Sequence, residues 1–166
     1  MVTLDDKLVQ LVSKWWTSSK VVTLGAGIHS DGRLFVATPY AGVFIYSHPF
    51  DPEKLLKGRK GVMTPTLIQR LVPKDSWPPE HILQPTGALR TCKYGTVCEY
   101  QDTKGAMVYL DEKQRKQLLP LRAMNVDLYV HEPGGGCGPV YFVDTSTAEL
   151  YALCMSVNYK GVMANG

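Results

Sequence analysis

Apolar residues in this chain come in short runs cut by glycine and proline, and that punctuation limits the fold more than any other feature. The 166 residues hold 15 Gly and 11 Pro. Glycine supplies backbone conformations that end a strand, and proline removes a backbone donor, so such spacing favours many short strands and turns. β-prone runs fall at 21–24, 34–38, 43–46, 66–72, 96–100, 106–110, 126–130, 140–143 and 150–157, with short ones at 25–28 and 161–164. Ser30-Asp31-Gly32 and Asp102-Thr103-Lys104-Gly105 are turn signals between them. Only residues 3–16 break the pattern. Leu4, Leu8, Leu11, Val12 and Trp15 lie on one face of a 3.6-residue period, and Thr3 with Asp6 forms a capping box, so a single amphipathic helix is expected there.

The chain is 45% hydrophobic and 20% charged, enough to bury a core and to exclude bulk disorder. No stretch approaches the roughly 18 apolar residues of a membrane span. Asp5 and Asp6 beside no long apolar run do not read as a signal peptide. Four cysteines are too few for a disulfide-built scaffold, which points to a reducing, intracellular setting. A net charge of +3 permits a nucleic-acid partner without requiring one.

The segment from Pro133 to Val140 gathers glycine around one cysteine: Gly134-Gly135-Gly136-Cys137-Gly138. Little side-chain bulk surrounds that thiol, so backbone can approach a substrate carbonyl. The N–H groups of Gly135, Gly136 and Cys137 are candidates for an oxyanion hole, and the thiol attacks a carbonyl if a base takes its proton. The same residues also read as a glycine-rich turn that holds a small packed cysteine.

Residues 136–143, then 150–157 and 161–164, resemble the last strands of the chymotrypsin-fold cysteine proteases of positive-strand RNA viruses, picornavirus-like. In that family a Gly-x-Cys-Gly turn precedes a hairpin that walls the specificity pocket. An N-terminal helix, the Gly25-Ala26-Gly27 run and a proline-rich stretch at 73–85 extend the resemblance over most of the chain. It implies an all-β fold of two stacked antiparallel β-barrels with a short N-terminal helix. Residues 1–72 would hold the helix and first barrel, 73–85 the linker, and 86–166 the second barrel. It implies an endopeptidase that processes a viral polyprotein in the cytoplasm of an infected host cell. Cys137 would be the nucleophile, with no cofactor and no metal.

The base is where the sequence departs from the family. By strand order the catalytic histidine's position falls on Tyr40, and a phenol of pKa near 10 is a poor base at neutral pH. His48 ends the alternative strand, 89 residues before Cys137. His48 is therefore the expected base, its imidazole the nearest to Cys137, within about 3–4 Å, with Tyr40 close to the same strand end. His29, His81 and His131 are rivals, the first two read as surface residues and the third as a support for the glycine turn. Asp75, 27 residues after His48, is the candidate orienting acid, and it also reads as a turn acid beside Lys74. Ser156 and Val157 occupy the substrate-binding hairpin. Ser156 stands where the picornaviral branch uses a histidine to read glutamine, so that preference does not carry over.

Cys92 and Cys98 lack zinc-knuckle spacing. The basic clusters Lys54-x-x-Lys57-x-Arg59-Lys60 and Lys113-x-Arg115-Lys116 read as solvated surface, or as loops that bind RNA phosphates. The interdomain stretch adds Lys74 and a stacking surface at Trp77. A competing reading is a protease-like module that has lost catalysis and binds a host protein or RNA, with Cys137 as a relic.

Overall fold

Thr3 caps the first helix as its sequence predicts, its Oγ1 accepting from the Asp6 N–H at 3.1 Å while the Asp6 carboxylate accepts from the Thr3 N–H at 2.9 Å. The computed structural model describes residues 2–21, 23–29, 31–46, 48–51, 53–54, 61–62, 81–93, 95–119, 121–122, 124–135 and 138–159. The chain divides into two units, 1–75 and 76–166. In the first, helix α1 (Leu4–Thr17) buries Leu8, Leu11, Val12 and Trp15. Three strands follow: β1 (Thr23–Ile28), β2 (Leu34–Ala37) and β3 (Ala41–Ile45). They form an antiparallel meander, with the short β4 (Gly61–Val62) parallel to β1. Thr23-Leu24 and the 25–28 run are thus one strand, and β3 stops at Ile45, three residues before His48.

Every residue of β2 and β3 is buried, so both faces of these strands are covered. Helix α1 packs against β3. The rings of Phe35 and Phe44 meet at 4.7 Å between centroids, and Arg33, itself buried, lays its guanidinium over Phe44 at 4.6 Å. Phe35 fits because Gly42 has no side chain.

The second unit contains β5 (Gln84–Cys92), β6 (Gly95–Gln101) and β7 (Met107–Asp111) as one antiparallel sheet. Helix α2 (Glu112–Leu118) follows, capped by the Asp111 carboxylate, which accepts from the Gln114 N–H at 3.0 Å. Strands β8 (Val126–Val130), β9 (Pro139–Asp144) and β10 (Glu149–Met155) form a second antiparallel sheet in the order β8-β9-β10. Two isolated bridges link these strands to the β5-β6-β7 sheet. Ile82, just before β5, pairs with Tyr129 of β8, and Val157, just after β10, pairs with Tyr109 of β7. Backbone bonds accompany them: Leu83 N–H to the Leu128 carbonyl at 2.8 Å, Val130 N–H to the His81 carbonyl at 3.0 Å, and Val157 N–H to the Tyr109 carbonyl at 2.7 Å. Helix α2 packs on β6, β7 and β10, and the buried Tyr151 hydroxyl donates to the Leu118 carbonyl at 2.6 Å.

The molecule is therefore mostly β-strand with an N-terminal helix, as the punctuation of the sequence predicts. Strand β5 takes in Gln84 and Pro85 of the expected linker, and α2 forms where only a charge run was expected. The expected strands at 66–72 and 161–164 lie outside the described residues.

The Gly42 contact gives a direct test of the first unit. A Cβ there would lie 2.7 Å from Phe35 Cζ, on a buried ring already packed against Phe44. Gly42→Ala should lower unfolding free energy in urea by about 1–3 kcal/mol, the usual cost of overpacking. Adding Phe35→Leu should make the double variant lose less than the sum of the singles.

Candidate active site

His48 sits in the segment that leaves β3, and this segment is tied to α1. The Tyr46 N–H donates to the Asp5 carboxylate at 2.7 Å, and the Phe50 ring meets Trp16 edge-on at 5.9 Å. Between these anchors the half-buried His48 places Nδ1 3.2 Å from the Phe50 carbonyl oxygen. In the neutral ring a carbonyl there selects the tautomer that carries its proton on Nδ1. Nε2 is then the acceptor, as a general base requires.

Tyr40 does not share this position. It lies in the β2–β3 turn, 65% exposed, where its N–H donates to the Thr38 hydroxyl at 3.2 Å. The phenol expected at a strand end is at the tip of a hairpin.

His29 is not a free surface residue. Its ring is half-buried, with Nδ1 3.1 Å from the Asp31 carboxylate and an edge-on contact to Phe44 at 5.3 Å. Asp31 also holds the Arg33 Nε–H at 2.7 Å. Burial opposes ionisation of Asp31, but the Arg33 backbone and guanidinium and the His29 ring overcome it and hold its carboxyl below the usual range. The His81 Nδ1 lies 3.1 Å from the Thr103 hydroxyl, and His131 is exposed immediately past β8.

Cys137, Gly136 and Asp75 lie outside the described residues. What flanks the cysteine is defined. Gly134 and Gly138 have φ of +99° and +116°, the left-handed region that glycine tolerates and other residues avoid. The Gly134 N–H donates to the Asp102 carboxylate at 2.7 Å. On the other flank the Ser156 N–H donates to the Gly138 carbonyl at 3.0 Å, which places Ser156 beside the end of the glycine motif. The Ser156 hydroxyl oxygen is buried and has no hydrogen-bond partner among the described residues. Val157 is committed to its bridge with Tyr109, so its backbone N–H serves the sheet. Gly135 is exposed in the turn.

Burial pushes the Cys98 thiol up, and it pushes Cys154 up to about 12. Both are poor thiolate formers at neutral pH. In the basic cluster on α2, Arg115 donates to the Tyr100 hydroxyl and Lys116 pairs with Glu112 at 3.1 Å. Two of its three cations are thus engaged within the fold. Lys54 is exposed, and Lys57, Arg59, Lys60, Lys74 and Trp77 lie outside the described residues. Among the described residues there is no cluster of three metal ligands and no helix long and apolar enough to cross a membrane.

A buried carboxylate in β6 escaped the sequence reading. Glu99 is 8% exposed and accepts from the Thr86 hydroxyl at 2.9 Å, the Tyr109 hydroxyl at 3.1 Å and the Arg90 Nε–H at 3.3 Å. The only sequence signal was a charged residue inside a β-prone run. Comparison of the chain with family models, with curated proteins and with solved structures returned no match.

The Glu99 cluster has a pH signature. The Thr86 hydroxyl first, then Tyr109 and Arg90, hold its carboxyl below the usual glutamate range despite burial. A depressed folded-state pKa contributes stability above the unfolded value, and that contribution is lost as pH falls through the folded one. The urea midpoint of the wild type should therefore drop as pH falls below about 4.3, the ordinary glutamate value. Glu99→Gln should show a lower midpoint at neutral pH and a flatter acid limb.

Proposed function

We propose that the chain is a cysteine endopeptidase that processes a viral polyprotein, acting on polypeptide substrates in the cytoplasm of an infected host cell. The observation that carries this reading is the setting of the glycine turn. It connects β8 to β9 and precedes the β9–β10 hairpin, as the Gly-x-Cys-Gly turn of the chymotrypsin-fold viral proteases precedes the hairpin of their specificity pocket. The two edge bridges extend the likeness. Ile82, just before β5, bridges to Tyr129 of β8, and Val157, just after β10, bridges to Tyr109 of β7. We read these links as the seams of a small barrel in which β8 follows the β5-β6-β7 meander in Greek-key order. The first unit would be its partner barrel.

In this mechanism the Cys137 thiolate attacks the scissile carbonyl. His48 takes the thiol proton on Nε2 and later gives it to the leaving amine. The N–H groups of Gly135, Gly136 and Cys137 stabilise the oxyanion, the term that most often dominates acyl transfer. Asp75 is the proposed orienting acid, and the Phe50 carbonyl already supports the required tautomer at Nδ1. The buried Ser156 hydroxyl favours a polar side chain in the specificity pocket, since an unpaired buried hydroxyl is costly until a ligand bonds it.

Cleavage of a peptide library, mapped by mass spectrometry, tests the assignment. Cys137→Ala should abolish cleavage. His48→Ala should reduce it by about 10²–10⁴-fold, the usual contribution of a general base. If both variants keep every measurable activity, the chain is instead a protease-like module that binds a host protein or RNA.

A further inference from the structure

The glycine turn is held from outside its own sequence neighbourhood by one carboxylate. Asp102 opens the turn between β6 and β7, and it is only 7% exposed. One oxygen, Oδ1, accepts from the N–H groups of Lys104 and Ala106, both at 2.9 Å, and shapes its own turn. The other, Oδ2, accepts from the Gly134 N–H at 2.7 Å, across 32 residues of sequence. Burial disfavours the charged form, yet the Gly134, Ala106 and Lys104 N–H groups outweigh it and hold the carboxyl below the usual aspartate range. Bonds to an ionised acceptor are shorter and stronger than neutral ones.

Gly134 is restricted a second way. Its φ is +99°, and a Cβ built on it would meet Lys104 Cδ at 3.2 Å. The Lys104 stem therefore lies against the backbone that Asp102 holds. The same β6–β7 turn receives the His81 ring through Thr103, and the His81 carbonyl accepts from the Val130 N–H at the end of β8. Thus the two segments that lead into the glycine motif, the end of β8 and Gly134, are both fixed by neighbours distant in sequence. Cys137 follows Gly134 by three residues.

We infer that Asp102 is a positioning residue for the nucleophile: its Oδ2 clamps the Gly134 N–H and so fixes the described flank of the glycine motif, three residues before Cys137. The inference rests on the peptidase reading for its consequence, but the clamp is measurable without it. Asp102 divides its two oxygens between two jobs, and Asp102→Asn separates them. An asparagine oxygen still caps the local turn at Lys104 and Ala106, as asparagine commonly does. Its NH₂ then faces the Gly134 N–H, donor against donor, and the clamp alone is lost.

The experiment combines amide exchange at Gly134 with iodoacetamide labelling of the whole chain. Cys92 is the internal reference, and the buried Cys98 and Cys154 report folding. In Asp102→Asn, Gly134 exchange should accelerate at least about tenfold, the scale of one lost charge-assisted hydrogen bond. The ratio of Cys137 to Cys92 labelling should fall about tenfold on the same scale, while Cys98 and Cys154 stay protected. A purely local role for Asp102 would move neither readout. Unchanged Gly134 exchange, or an unchanged labelling ratio, overturns the inference. If Cys98 and Cys154 become reactive, Asp102→Ser replaces the variant, since a serine oxygen caps the local turn but is too short to reach Gly134. A wild-type Cys137 no faster than Cys92 would overturn the peptidase reading instead, and Gly134 exchange would still decide the clamp.

Discussion

A three-stranded sheet has two unpaired edges, each a row of backbone donors and acceptors that water or another strand must satisfy. The β5-β6-β7 sheet of the second unit is such a sheet, and two isolated bridges tie its surroundings to strands β8 to β10. Ile82 pairs with Tyr129, and Val157 pairs with Tyr109, each through short backbone hydrogen bonds. The chemistry proposed for this unit depends on that constraint. The bridge at Ile82 fixes the end of β8, from which the glycine motif departs. The bridge at Val157 fixes the end of β10, so that Ser156 is delivered beside Gly138.

The polar contacts of the second unit follow the same logic. Glu99 and Asp102 are buried carboxylates of one strand and its turn, and every oxygen of each is engaged. A buried charge is tolerated only when it is bonded in this way, and it then resists movement. Glu99 ties β5 to β6 and β7. Asp102 ties the β6–β7 turn to the glycine motif. In the first unit the corresponding fixity comes from aromatic packing around Phe35 and Phe44, and from the Asp5 and Trp16 contacts that hold the segment carrying His48.

Much of the scaffold was legible in the sequence, because its signals were local. The capping box at Thr3 and Asp6, the turn at 102–105, and the β-prone runs at 96–100 and 140–143 each state their structure within a few residues. Strand β5 was not legible. Most of its residues are exposed, it contains Pro85 and Gly87, and its register shifts between Pro85 and Leu89, so no apolar alternation marks it. Helix α2 was masked by its charges: only Leu118 is buried, and good helix formers with an Asp111 cap were read as a basic cluster. His48 was legible as a residue type at a plausible spacing, but its fixed ring depends on the Phe50 carbonyl, which periodicity does not encode. Glu99 and Asp102 were illegible for a related reason. The partners of Glu99 are 9 to 13 residues away and the Gly134 partner of Asp102 is 32 away, and a lone acid in a strand or turn ordinarily reads as solvent-facing.

The central claim is that Cys137 is a thiol activated by His48. The rate of Cys137 alkylation as a function of pH measures this most directly, because only the thiolate reacts. The account predicts an inflection well below about 8.5, the ordinary thiol value, and its return toward that value in His48→Ala. An inflection at or above the ordinary value in both proteins would contradict it.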